Sequence, residues 1–182
     1  MLVFIDFEAS SLSDDSYPIE VGWVFEDGAG EAYLIRPAPG WDDWDPKAEA
    51  IHGIPRPHLL ERGAPHAEVA QRMMSVLAGH DLFASAPSWD GKWLSALLRA
   101  AGLPRHALRL RNTDIALAET ARALLSPTVP EAELGAVIKQ ILGSLSASDE
   151  PPAHRALADA QEERRRWLEL REAAAALVAG GS

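Results

Sequence analysis

The sequence has no cysteine, which excludes disulfides and thiolate metal sites and sits with a reducing, cytoplasmic setting. Lysine is scarce, confined to Lys47, Lys92 and Lys139. No run of eighteen apolar residues occurs, so a membrane partner is not expected. Met1-Leu2-Val3-Phe4-Ile5 leads straight into Asp6 without a basic leader or a small-residue cleavage site, and no signal peptide is expected. Excess positive charge is missing too: the formal net charge is −10, against the basic patch that a sequence-specific DNA binder normally carries. An enzyme that grips only a strand end is less constrained, because bound divalent metals would neutralise part of that charge locally. Arg105, Arg109 and Arg111 fall close together and could touch phosphates, although a solvated surface explains them equally well.

What is present fits a globular chain. There are 182 residues, 47% of them hydrophobic, enough for one domain with a core and too few for two ordinary ones. The expectation is a single domain over 1–179 with a frayed tail at 180–182. Leu2 to Glu8, Ile19 to Phe25 and Glu31 to Arg36 read as strands. Asp27-Gly28-Ala29-Gly30 suits a tight turn between the last two, so the chain opens as an antiparallel meander. Pro37 to Pro57 reads as irregular apart from a helical turn at Ala48 to His52.

Strand and helix then alternate. Helices are expected at Ala67–Leu77, Trp89–Ala101, Asp114–Leu125, Glu131–Leu142 and Ala153–Val178, the last announced by Pro151-Pro152. Short strands are expected at Asp81–Ala86 and Ala107–Arg111. The fold class is therefore α/β: a mixed five-stranded sheet whose first three strands are antiparallel, with helices on both faces.

Three acidic signals carry the chemistry. Asp6 and Glu8 alternate with Phe7, so in a strand they share the face of Leu2 and Phe4. Carboxylates that continue an apolar face call for metal ions or cationic partners, unless the strand ends at Asp6 and both acids are wet. Asp90, in Ser88-Trp89-Asp90-Gly91, falls at a helix start, where an N-cap role is the bland explanation. His154 and Asp159 stand five residues apart, about 140° around a regular helix, so they share a face only if His154 lies in the lead-in. Separately, a surface histidine and a first-turn acid explain that pair as well.

Taken in order, Asp6-x-Glu8, Asp90 and His154-x-x-x-x-Asp159 resemble the motifs of the DEDDh 3′–5′ exonucleases. These form a branch of the ribonuclease H-like superfamily that includes ribonuclease T, oligoribonuclease and proofreading subunits. Ile51-His52-Gly53-Ile54, Tyr17-Pro18-Ile19-Glu20-Val21-Gly22 and His154-Arg155-Ala156-Leu157-Ala158-Asp159-Ala160 are similar to further segments of that family, and the likeness runs from Phe4 to about Gln161. Two departures stand out. Ala9-Ser10-Ser11 replaces a Thr-Thr-Gly or Thr-Gly segment, and Ser85-Ala86 stand where many members carry His-Asn.

The resemblance implies a ribonuclease H-like fold and release of nucleoside 5′-monophosphates from 3′ ends of single-stranded RNA or DNA, or of short oligonucleotides. It implies two divalent cations, Mg²⁺ or Mn²⁺, held by Asp6, Glu8, Asp90 and Asp159, with His154 as general base. An imidazole titrating near neutrality suits that task. It implies that Leu12, or the backbone of Ser10 and Ser11, holds the terminal nucleotide. Trp89 and Trp93 could stack on bases, but packing on one helix face is the simpler role. Many members are dimers, and the Trp41–Trp44 region is the candidate interface.

Rival readings are a silent nucleic-acid-binding module of the same fold, a phosphatase with Asp6 as nucleophile and one of the few lysines as partner, and a two-carboxylate glycosidase. The last leaves His154 without a role.

Overall fold

The meander forms because three runs of alternating or continuous apolar residues are joined by a loop over residues 10–17 and a tight turn over 26–29. The computed structural model describes residues 1–145 and 153–180. Strand β1 (Leu2–Ala9) pairs antiparallel with β2 (Pro18–Phe25), and β2 with β3 (Gly30–Arg36). At the second turn Gly28 adopts φ 99°, Phe25 N–H donates to the Ala29 carbonyl, and Ala29 N–H donates to Asp27 Oδ1. A positive φ of this kind is where glycine is the default residue.

Downstream come α1 (Pro46–His52), α2 (Arg56–Arg62), β4 (Ala64–Pro65), α3 (His66–Leu77), β5 (Asp81–Ala84), α4 (Pro87–Ala100), β6 (Leu110–Asn112), α5 (Thr113–Leu125), α6 (Glu131–Ser144) and α7 (Ala156–Gly180). Strand β5 joins β1 in parallel, β6 joins β5, and β4 lies parallel to β3, giving the order β4-β3-β2-β1-β5-β6.

The two faces of β1 divide the core. Val3, Ile5, Phe7 and Ala9 pack with Val69, Met73 and Leu77 of α3 and with Trp93, Leu94 and Leu97 of α4. Phe4 packs with Phe83 and with apolar residues of α5, α6 and α7, among them Leu117, Ile138 and Trp167. Helices thus cover both faces of a mixed sheet, as expected for this α/β class. A third cluster, Tyr17, Ile19, Ile54 and Leu59, anchors the segment between β3 and α3, with Trp41 and Trp44 packed against it.

The sheet has six strands rather than five. The addition is the two-residue β4 at the edge, where Pro65 is tolerated because an edge position leaves its missing N–H without consequence. Helix α2 has no counterpart among the expected elements. Pro57 is not the end of an irregular stretch but sits in the first turn of that helix, where no backbone donor is required. For the same reason α4 starts at Pro87, two residues before the expected Trp89, and α1 at Pro46 rather than Ala48. Strands β5 and β6 differ at their ends from the expected 81–86 and 107–111. The expected Pro151-Pro152 start signal and the tail residues 181–182 lie outside the described residues, while Gly180 closes α7. No described helix is long and apolar enough to cross a membrane.

Candidate active site

Asp6 and Glu8 lie on the β1 face that carries Leu2 and Phe4, near the end of the strand, and both are half-buried. The first turns of α7 lie against β1 and β2 here. Ligand atoms of Glu8, His154 and Asp159 all fall within 4.8 Å of one another. Asp90 arrives from the opposite layer, on the first turn of α4. Its backbone N–H donates to the Ala86 carbonyl at 3.0 Å, so it is inside the helix and not an N-cap. Its side chain is 2% exposed, and among the described residues nothing hydrogen-bonds its Oδ2.

The electrostatics tie these groups into one cluster. Burial, then the charges of Asp90, Glu8, Asp159 and Glu163, push the Asp6 carboxyl well above its ordinary range. Glu8 is pushed up to about 7 by burial first, then by Asp159 and Glu20, with Arg155 opposing. Asp90 is also pushed up to about 7 by burial, against the lowering effect of backbone groups at Ala86, Phe7 and Asp90 itself. Clustered half-buried carboxylates strain against their own charge, and an orphaned buried oxygen lacks a donor. Divalent cations would relieve both conditions, and an all-oxygen set with one imidazole suits hard cations. The residues therefore fit a metal centre.

Two devices place the His154–Asp159 segment. Glu20, buried on β2 and opposite Glu8 in the sheet register, accepts from Arg155 Nη2 at 2.6 Å and from Ala156 N–H at 3.0 Å. It caps the open end of α7 and neutralises Arg155 in the same contact. Gly22, opposite Asp6, lets the helix come close: a Cβ there would stand 2.2 Å from Leu157 N. His154 precedes the helix with φ 49°, the one positive-φ residue other than glycine among those described. Its backbone departs from the helix, which resolves the 140° separation. Helix α7 begins at Ala156, three residues later than the expected Ala153.

The loop after β1 is clamped from two sides. Ser10, Ser11 and Ser13 hydroxyls donate to Asp43 at 2.8, 2.6 and 2.9 Å. Burial raises the Asp43 carboxyl, but those hydroxyls and Lys92 outweigh it and hold it below its usual range. From α4, Lys92 Nζ donates to the Ser13 carbonyl and to Ser16 Oγ, and Trp93 Nε1 donates to Ser16 Oγ at 3.0 Å. Ser10 and Ser11 are buried with their hydroxyls in use, whereas Leu12 in the same loop is 70% exposed. Trp93 is core, and Trp89 stacks on it at 5.7 Å between centroids while staying partly exposed. Trp41 stacks on Tyr17 and Trp44 meets His52 edge-on, so both rings pack inward.

Four residues of this architecture receive no role from the sequence, although Glu20 and Gly22 fall in the Tyr17–Gly22 segment that shares the family likeness. Glu20 and Gly22 sit inside a strand pattern, Asp43 in an irregular segment, and Glu163 among the charges of a long helix. Glu163, one turn beyond Asp159, is legible only as the next acid on that face at i+4.

No protein-family model and no curated protein matches the chain. Solved structures do. An Escherichia coli exonuclease I–ssDNA complex in its zinc-bound form superposes with a TM-score of 0.65 at 18% identity, covering 94% of this chain and 40% of that one. The E. coli enzyme with a dT13 oligonucleotide gives 0.63 at 18%, covering 94% and 41%. A moderately thermophilic exonuclease I from Methylocaldum szegediense gives 0.60 at 19%, again covering 94% and 41%. At such identities the likeness is one of fold, that of ribonuclease H-like nucleases, and the chain spans about two fifths of those proteins' length.

Proposed function

We propose that this chain is a 3′–5′ exonuclease domain that releases nucleoside 5′-monophosphates from single-stranded or short nucleic acid, with two divalent cations, Mg²⁺ or Mn²⁺, as cofactors. One observation carries the reading. Four carboxylates and a histidine, supplied by β1, α4, the start of α7 and the residues leading into it, gather at one end of a sheet whose fold is shared with exonuclease I. The order of those residues supplies the 3′–5′ polarity through its family resemblance. The related structures' names, one zinc-bound, one metal-free and others with oligonucleotides, support a metal centre and a single-stranded substrate.

In this reading Asp6, Glu8, Asp90 and Asp159 hold the cations, which when bound stabilise charge on the attacking and leaving oxygens. His154, beside Glu8 and Asp159, takes the proton of the attacking water. Leu12, projecting from the clamped loop, packs against the terminal nucleotide. The buried serines hold that loop, and their hydroxyls do not reach substrate. A phosphatase using Asp6 loses support, because Lys92, two residues along α4 from Asp90, is committed to Ser13 and Ser16.

The test is a sequencing gel of 5′-labelled single-stranded RNA and DNA incubated with Mg²⁺, Mn²⁺ or EDTA. Single-nucleotide shortening that EDTA abolishes is expected. His154→Ala is expected to bind metal by calorimetry and to turn over about 10²–10⁴-fold more slowly. An Asp159→Ala protein as active as wild type would sink the assignment.

A further inference from the structure

In a chain with net charge −10, most described arginines are already committed. Arg72 holds Glu31, Arg122 holds Glu131, Arg155 holds Glu20, and Arg164 donates to the Glu26 carbonyl. Arg105 and Arg109 are exposed and have no protein partner among the described residues. Both lie, with His106, on one wall of a groove of about 400 Å³. The opposite wall is Pro87, Gly91 and Leu94 of α4.

That wall matters because Pro87 and Gly91 flank Asp90 on one helical turn. Asp90 is turned inward, and nothing lies within 4 Å of where a Gly91 Cβ would stand. The groove therefore runs along the same helical turn of α4 that carries Asp90. From Pro87 to Leu94 it extends about 10 Å at 1.5 Å per residue. His106 and Arg109 also line an adjoining groove with Arg111, where Asp81 is the acidic member.

We propose that this groove receives the phosphodiester backbone of a single strand whose 3′ end occupies the acidic site, with Arg105 and Arg109 contacting phosphates a few nucleotides upstream. The proposal rests on the exonuclease reading. It adds a strand path and a dependence on substrate length. Uncommitted guanidiniums are suited to phosphate oxygens, and their attraction offsets the repulsion that the acidic remainder of the surface imposes on a polyanion. A dinucleotide would end short of them.

The experiment compares wild type, R105A/R109A and the control R62A/K139A, which removes the same charge from exposed sites elsewhere. Affinity for a fluorescein-labelled 15-nucleotide strand is read by anisotropy in EDTA, so it does not depend on turnover. Cleavage of the 15-mer and of a dinucleotide is read in Mn²⁺. R105A/R109A is expected to weaken 15-mer binding at least tenfold. It should also flatten the slope of log affinity against log salt by about 0.7 for each phosphate that is no longer neutralised. Dinucleotide cleavage should be unchanged. Equal weakening by R62A/K139A, or wild-type affinity in R105A/R109A, overturns the groove while leaving the exonuclease reading intact. Wild type that binds the 15-mer through these arginines yet releases no mononucleotide overturns the exonuclease reading and keeps the groove. Circular dichroism of each variant confirms that a weaker signal does not come from unfolding.

Discussion

At the scale of single residues the decisive group is Asp90. Its position near Trp89 and Trp93 reads in the sequence as a helix cap, yet Pro87 starts the helix early and carries the carboxyl inward, where its Oδ2 has no partner among the described residues. A buried, unsatisfied carboxylate is costly unless something compensates it. Asp90→Asn keeps the shape and removes the charge. We expect it to lose most metal affinity by calorimetry and to cut turnover by about 100-fold or more, the scale at which losing one transition-state stabiliser is felt. Unchanged metal affinity would make Asp90 a packing residue. His154 shows the complementary case. Its identity is visible in the sequence, but its φ of 49° is not, because histidine enters the left-handed region only when its surroundings hold it there.

At the scale of elements, α7 and the residues leading into it carry two of the five candidate site residues, and two residues of β2 decide where they sit. Gly22→Ala would drive a methyl into the backbone at Leu157 and Ala156. That contact is with main chain, so the helix start must shift. We expect a loss of about 1–3 kcal/mol in urea denaturation, the usual cost of overpacking. The activity loss should exceed anything that stability explains, since His154 and Asp159 move away from Glu8. Full activity in a folded Gly22→Ala protein would mean that α7 is not held by this contact.

Elements also show what the sequence can convey. The meander and the five longer helices follow from apolar periodicity, which survives in any local window. Helix α2 and strand β4 are hidden because Pro57 and Pro65 read as breakers, and their tolerance depends on first-turn and edge positions that only the assembled sheet defines. The five candidate site residues are legible by their order and spacing, through the family resemblance. Their supports are not, because Glu20 reaches Arg155 across 135 positions and Asp43 reaches Ser10 across 33.

At the scale of the whole molecule, the acidic site sets how stability answers to pH. Glu8 and Asp90 have carboxyls pushed up to about 7 in the folded chain, mainly by burial, and Asp6 is raised as well. Unfolded carboxyls titrate near 4. Between about pH 4 and 7 the folded state therefore holds protons that the unfolded state has released. The carboxylate cluster's contribution to stability then falls as pH rises through that window, the reverse of an acid held by a cationic partner. The metal-free protein is expected to melt at least several degrees lower at pH 8 than at pH 5.5, given roughly 2–4 °C per kcal/mol for a chain this long. Mg²⁺ or Mn²⁺ binds the folded, ionised site, so it should restore the melting temperature at pH 8 and do much less at pH 5.5. Asp90→Asn should flatten the pH dependence and raise metal-free stability at pH 8 by on the order of 1–3 kcal/mol. A melting temperature that is insensitive to pH in EDTA and to metal at pH 8 would mean that the clustered carboxylates are solvated and do not form one charged site.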